Sequence, residues 1–527
     1  MTRVYLKPSI TVEPLFNRWF SWPVLIPPHS AALYLKNHYL PMIASFLEEP
    51  ELHAAAIENP AMRAGPFING SCGYARLERF YNESQDALAP LLNLAAMIEQ
   101  VEQLMKVQDG YTLVNLYNQL PTGIRGMVEL VYDLNHSPSI RFIERLMYKS
   151  DFYDPALQSL KLGTVTQEVK PFSLNTPKLD QGTLNLNVAH SDTLIDTLSG
   201  ARSRAVELDH LVASLPWDSW GDVKKNEVIK CFTEQPPPPG EAVSAEGLTI
   251  RYFGHATVLI QAQGVSIMTD PCVSPYVEGA QKRYDFSDLP EVIDIVLITH
   301  AHQDHVVFET LLQLRHKIQK IIVPRSGGGF LQDPSLKLML EAIGFDNVSE
   351  LGELEHFEYG PARIMGIPFF GEHGDLSIQT KLGYCVNVNQ FCGMFLADSD
   401  VLNPELYDAT LKQIGHVDAL FIGMDSVGAP YRWLYGALYS TPLDHARGKN
   451  RRINGSNSHK AFDLVKRIRP TAAYVYAMGA EPWISHITGS NTDPNAAQNR
   501  EARHFVGMCA AEGIESKVLY WMDQLQG

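Results

Sequence analysis

The sequence predicts an α/β protein in two parts, a mainly helical first half followed by a layered α/β second half. Three observations carry this. Apolar residues recur at helical spacing up to Leu215, and from residue 245 onward short apolar strands alternate with helical stretches. Between the two, Pro236-Pro237-Pro238-Pro239 favours an extended polyproline spacer. A chain of 527 residues exceeds one ordinary core, so the expected division is 1–240 and 241–527.

The first part starts with rings and prolines (Pro14, Trp19, Trp22, Pro27, Pro28), expected as an irregular segment. Ser30 is expected to cap a helix over 31–46, where Leu33, Leu40, Ile43 and Phe46 share a face. A second helix is expected over 84–106, with Leu91, Leu94, Ile98, Val101 and Met105 inward. Helical patterns continue over 111–120, 126–134 and 139–148, then a strand over 183–188 and a helix over 192–215. These stripes are core, and no motif in this half carries chemistry.

The second part opens with a hairpin over 249–268 that ends in Thr269-Asp270-Pro271. A buried strand follows over 292–299, then a helix over 308–319 and a strand over 320–323. Strands recur over 362–368, 383–388, 393–397, 419–422 and 472–477, with helices over 404–414 and 460–468. Arg325-Ser326-Gly327-Gly328-Gly329 lacks the spacing of a phosphate-cradling loop and reads as a turn.

Composition narrows the function. A hydrophobic share of 45% against 19% charged residues is that of a globular chain. The net charge of −16, with no basic block, argues against nucleic acid as the main partner. Six scattered cysteines without a C-x-x-C pair suggest no disulfide framework, and no apolar run is long enough to span a bilayer. The expectation is a reduced, cytoplasmic protein without a membrane partner.

The chemistry gathers in Thr299-His300-Ala301-His302-Gln303-Asp304-His305. Four potential metal ligands follow a buried strand directly, at the strand end where open α/β sheets place their ligands. Imidazole suits zinc and iron, and an added carboxylate shifts preference toward harder or redox-active ions. His255 reads as a structural histidine on a hairpin, and His459 as a helix-start or surface residue. Arg447, Lys449, Arg451 and Arg452 read as a solvated loop, with phosphate binding as the alternative.

His300-x-His302-x-Asp304-His305, after a hairpin ending in Thr-Asp-Pro, resembles the metallo-β-lactamase fold across residues 245–527. The resemblance implies an αββα sandwich with a dinuclear site between its sheets. It implies His300 and His302 on a first metal, Asp304 and His305 on a second, and Asp398 of Phe395-Leu396-Ala397-Asp398 bridging both. The remaining first-metal ligand falls on Glu372 or His373, which in extended backbone point in opposite directions, so one of them ligates.

With Glu372, three carboxylates favour iron and dioxygen over a zinc-bound hydroxide, and the chain resembles the di-iron β-hydroxylases of the chloramphenicol-biosynthesis type. That resemblance implies an O2-dependent monooxygenase that β-hydroxylates an aminoacyl group tethered to a nonribosomal peptide synthetase carrier domain. It implies two iron ions, an external electron donor, a homodimer, and Glu372 and Asp398 as the catalytic residues. The first 240 residues would serve dimer contacts or docking. The alternative is a dinuclear zinc hydrolase of a lactone, phosphodiester or thioester, with His373 replacing Glu372. The last ligand of the second metal stays open among Asp425, Glu481 and His486.

Overall fold

Near-continuous runs of Ile, Val, Leu and Phe build the centre of the second half, because its strands are covered on both faces. The computed structural model describes residues 2–525 except 60, 61, 63, 109, 166, 171, 180–183, 216, 218–224, 241–246, 425–427, 442, 443 and 490–492, and the side chains of 445, 447 and 449. Two seven-stranded sheets face each other. In the first, strands run in the order Val348–Leu351, Ile318–Pro324, Ile293–Leu297, Val265–Thr269, Thr257–Ala262, Leu248–Gly254 and Asp523–Leu525. In the second the order is His356–Tyr359, Ala362–Ile367, Gly383–Val388, Phe391–Phe395, Ala419–Ile422, Ala472–Val475 and Glu515–Val518.

Both sheets switch from antiparallel to parallel pairing midway. Met268 pairs with Val296 in parallel register in one, and Met394 with Leu420 in the other. Ile260, Ile295 and Leu297 meet Val386, Phe395 and Phe421 in the core between the sheets. Helices Phe308–Leu314 and Leu336–Ala342 cover the first sheet, and Glu405–Ile414, Ser458–Ile468 and Ala497–Ala511 the second. This is the αββα sandwich the resemblance implied. The strand ends at Leu297 and Phe395 bring the histidine loop and Asp398 to one edge.

The first half holds more β-structure than its sequence pattern predicts. The ring-rich opening forms strands Ile10–Phe16 and Trp19–Phe20, which join Gln158–Thr164 and Leu184–Leu186 in one sheet. Residues expected as helix over 126–134 and 139–148 form the hairpin Val128–Tyr132 and Pro138–Phe142, as suits their β-branched and aromatic content, and of these only Glu144–Met147 is helical. The helix expected from Ser30 starts at Pro28, a residue preorganised for the first turn, and Ser30 Oγ donates to the Val24 and Pro27 carbonyls instead. The helix expected over 84–106 is two, Tyr74–Ala87 and Ala89–Lys106, parted at Leu88 before Pro90.

The polyproline segment does not separate independent cores. One apolar cluster runs from Trp19, Leu35 and Ile98 into Leu434, Trp483 and Trp521, and another from Leu160 and Leu198 into Phe308 and Leu340. Lys170 ties the two halves with charge, lying 3.1 Å from Glu13 and 3.2 Å from Glu309, the latter one turn after the histidine loop. Burial opposes ionisation here, but the two carboxylates outweigh it and hold the Lys170 amine above its usual range. Lys170→Met would leave Glu13 with Lys161 at 3.4 Å and Glu309 with His486 at 3.4 Å but remove the cation they share, and a loss of about 3 kcal/mol in chemical denaturation is expected.

Cys231, Cys272, Cys385, Cys392 and Cys509 are free thiols. No helix among the described residues is long and apolar enough to cross a membrane.

Candidate metal centre

The site is built by hydrogen bonds that choose which nitrogen of each histidine faces inward. Asp270, wholly buried at the end of the Thr-Asp-Pro hairpin, accepts from Thr299 N at 2.7 Å and Thr299 Oγ1 at 2.6 Å. The Thr299 hydroxyl proton is thereby used, so Thr299 Oγ1 accepts from His300 Nδ1 at 3.0 Å. Asp270 also takes His305 Nδ1–H at 2.8 Å. His300 then presents an unprotonated Nε2 to the cleft, and His305 turns its Nε2 to Asp398. His302 is turned the other way: its Nε2 pairs with Tyr435 Oη at 2.9 Å, and its Nδ1 faces Glu372 Oε1 at 2.6 Å.

Three overlapping groups of donors result. His300, His302 and Glu372 converge in one, His300, His305 and Asp398 in a second, and His255, Asp304 and His305 in a third. His300 Nε2 lies 3.9 Å from both Glu372 Oε2 and Asp398 Oδ2, so it joins the first two. His305 Nε2 is 3.1 Å from Asp398 Oδ2 and 3.9 Å from Asp304 Oδ2. All six residues expected to hold metal therefore meet at one edge of the sandwich.

Of the adjacent pair, Glu372 enters the cluster and His373 does not. The reason differs from the extended-strand argument. Glu372 sits in a turn with φ of 68°, after Gly371 at 74°, and its N–H donates to the Asn454 carbonyl at 3.1 Å. A Cβ at Gly371 would come within 2.6 Å of Asp400 Cβ, so only glycine allows this turn. His373 Nδ1 lies 3.1 Å from Glu372 Oε2 and 3.3 Å from the Gly371 carbonyl.

His255 is nearer than its structural reading implied, with Nε2 3.4 Å from Asp304 Oδ2. Its Nδ1 accepts the Gly479 N–H at 3.1 Å, which leaves the proton of the neutral ring on Nε2. Burial keeps it neutral, pushing its pKa down to about 4. His255 Nε2 thus turns toward Asp304 but meets no hydrogen-bond partner.

The open choices for the second metal resolve in part. Glu481 Oε1 accepts from Tyr252 Oη at 2.5 Å, and His486 lies 3.4 Å from Glu309 with its ring edge-on to Phe20. Neither joins the donor groups found among the described residues, and Asp425 lies outside those residues. His459 is exposed beside His504. Arg451 donates to the Gly374 carbonyl and Arg452 to that of Gly428, while the side chains of Arg447 and Lys449 are not described. The glycine run is a turn pinned by Asp333, which accepts from Gly327 N at 2.7 Å.

The donor set fits a pair of iron ions. His300 Nε2, Glu372 Oε2 and Asp398 Oδ1 are buried and meet no protein partner, which is costly unless a cation takes them. Burial, reinforced by Asp398, pushes the Glu372 carboxyl well above its usual range, and burial beside His305 and His302 pushes His300 well below its own. Three carboxylates and three imidazoles are a hard, iron-favouring set. The anchor beneath them was missed in the sequence. Asp270 holds one ligand directly and a second through Thr299, and its signal was the Thr-Asp-Pro end of the hairpin. Asp270→Asn is expected to weaken iron binding by about 10- to 100-fold, measured by chelator competition.

A metallo-β-lactamase sandwich with a carboxylate-rich dinuclear centre defines a class of metalloenzyme. Comparison with known proteins narrows it. The diiron non-heme β-hydroxylase N-terminal domain family matches residues 5–236, and the β-lactamase superfamily domain matches 249–474. The chain is 36% identical over 497 residues to the 4-amino-L-phenylalanyl-[CmlP-peptidyl-carrier-protein] 3-hydroxylase of Streptomyces venezuelae, covering 93% of each. The crystal structure of CmlA, a diiron β-hydroxylase from that organism, superposes with a TM-score of 0.93 at 33% identity and covers all of both chains. A metal-dependent hydrolase of Lysinibacillus sphaericus is 29% identical over 108 residues, only 20% of this chain and 45% of its own length. The protein belongs to the CmlA-type diiron β-hydroxylases, non-heme iron oxygenases of metallo-β-lactamase fold.

Proposed function

We propose that this β-hydroxylase acts on an aminoacyl group carried as a thioester by a peptidyl carrier protein, with His300, His302 and Glu372 on one iron, Asp304 and His305 on the other, and Asp398 between them. The convergence of Glu372 with His300 and His302 carries the ligand assignment. The substrate class follows from the 36% identical relative, whose own substrate is a carrier-bound aminoacyl group.

When bound, the two irons supply dioxygen activation with electrons from an external donor. One oxygen atom enters the Cβ–H bond and the other leaves as water, consuming two electrons and two protons. The chain's own groups hold the geometry. Asp270 fixes His305, Tyr435 pairs with His302 Nε2, and His255 lies beside Asp304. Apolar side chains around the cleft exclude water.

A cavity of about 870 Å³ between the two halves gives a tethered arm its route. Lys106 and Ile140 wall it on one side, Phe330 and Tyr439 on the other. It adjoins a narrower cavity beside His302 and His373, and the two share Leu331, Gln332, Tyr435 and Leu438. Residues 1–240 therefore serve as part of the surface that receives the carrier.

The test compares a carrier-bound aminoacyl thioester with the same amino acid free in solution, using iron-loaded protein, dioxygen and a reductant. Turnover of the thioester alone supports the tethered reading. Equal rates on both would refute it.

A further inference from the structure

Lys381 joins two ligand-bearing segments that lie far apart in sequence. Its backbone pairs with His300 in an isolated antiparallel bridge, and the next residue, Leu382, donates its N–H to the Thr299 carbonyl at 2.8 Å. Asp333 fixes the residues just before it, accepting from Gln379 N at 2.9 Å and Thr380 N at 3.1 Å. From this anchored position the side chain crosses to the Glu372 turn, where Nζ donates to the Gly371 carbonyl at 3.1 Å. One residue thereby links the metal loop to the turn that carries Glu372.

The other backbone bonds on that turn have different origins. The Gly371 carbonyl also accepts from His373 N at 2.9 Å, a bond inside the turn, and the Glu372 N–H goes to Asn454. Neither connects the turn to the metal loop. Charge sets Lys381 apart as well. Its Nζ lies 5.8 Å over the Phe369 ring, which meets His300 edge-on at 5.3 Å. No carboxylate among the described residues comes within ion-pair distance of it, whereas Lys460 pairs with Asp400 at 2.7 Å. Burial disfavours the Lys381 ammonium, and of the carboxylates that oppose burial Glu372 acts most strongly.

We propose that Lys381 is a positioning residue of the diiron centre, holding the Glu372 turn against the metal loop and placing one positive charge beside the carboxylates that meet the irons. The inference rests on Glu372 being an iron ligand, as read above. The backbone is left-handed at Gly371 and Glu372, and such a turn persists where its surroundings hold it. An ammonium repels a ferric ion more than a ferrous one, most where little water screens it. It therefore eases reduction by the external donor that the reaction requires. Lys381 borders neither of the two cavities, so its effect falls on the centre and not on the substrate.

Three variants separate the bond from the charge. Lys381→Met removes both, Lys381→Gln keeps a donor without charge, and Lys381→Arg keeps both. Iron affinity is measured by chelator competition, and reduction potential by optical titration of the iron-loaded protein with redox mediators. Lys381→Met is expected to weaken iron binding by about 10-fold and to lower the potential. Lys381→Gln is expected to lower the potential while losing less affinity, and Lys381→Arg to keep both properties. An unchanged potential in Lys381→Met and Lys381→Gln overturns the role of the charge. Unchanged iron affinity in Lys381→Met overturns the role in positioning. Should Lys381→Met fail to fold, Lys381→Gln against Lys381→Arg decides both points by the same measurements.

Turnover of the carrier-bound thioester gives a second readout. In Lys381→Met, kcat is expected to fall with KM unchanged. A rise in KM alone would place Lys381 in substrate binding and overturn the assignment. Two irons retained in Glu372→Ala would instead refute the ligand reading beneath it, whatever the Lys381 variants do.

Discussion

Glu372→Ala is expected to lower bound iron from two per chain to about one and to abolish β-hydroxylation, a loss beyond the roughly 10- to 100-fold that a supporting residue costs. Glu372 supplies the carboxylate nearest His302, 2.6 Å from Nδ1, and its second oxygen reaches toward His300 at 3.9 Å. Alanine leaves two imidazoles without the third donor. Glu372→His separates ligation from chemistry, because it restores a donor but removes negative charge. Softer nitrogen donors favour zinc, so that variant is expected to take up zinc readily while remaining inactive as a hydroxylase. Metal analysis of protein grown without metal bias reads both outcomes. Iron content unchanged in Glu372→Ala would show that His373 is the ligand.

Asp398→Asn is expected to cost both irons. Asp398 joins the donor group of His300 and His305, 3.1 Å from His305 Nε2 and 3.9 Å from His300 Nε2, with Oδ1 buried and unpartnered. Burial disfavours its charge, but His305 outweighs burial and keeps the carboxyl below its usual range, so an anion is already held there for the metals. Asparagine places a neutral amide in that position. A metal bound only by the folded state raises Tm, so the iron-dependent rise in Tm seen with the unaltered protein is expected to vanish in Asp398→Asn. A full rise in the variant would mean that Asp398 bridges nothing.

The metal loop was legible because its four ligands fall within six residues and follow a buried strand. Glu372 and Asp398, by contrast, were reached through the resemblance. Asp398 ends an apolar strand, a position with a pattern, whereas Glu372 depends on a left-handed turn that no periodicity reports. Asp270 escaped notice because its role lies in three hydrogen bonds to residues about 30 positions away. His255 was read as structural, and only its contact with Gly479, from the far end of the chain, reveals which nitrogen it turns to Asp304.

The alternation of strands and helices made the second half readable. In the first half, apolar runs such as Val128–Tyr132 fit a helix or a strand equally well until Pro138–Phe142 pairs with them. The polyproline segment marked a change of composition correctly but suggested more independence than exists. Leu35 and Leu434 belong to one apolar cluster although the segment lies between them in sequence.

The central claim, that these residues form a diiron oxygenase of a tethered aminoacyl group, is tested most directly by turnover under 18O2. Iron-loaded protein, a reductant and the carrier-bound thioester are combined, and the acyl group is analysed by mass spectrometry. The expected result is one 18O atom at Cβ with the thioester intact. Release of an unlabelled acid by thioester cleavage, from protein that retains zinc and no iron, would contradict it.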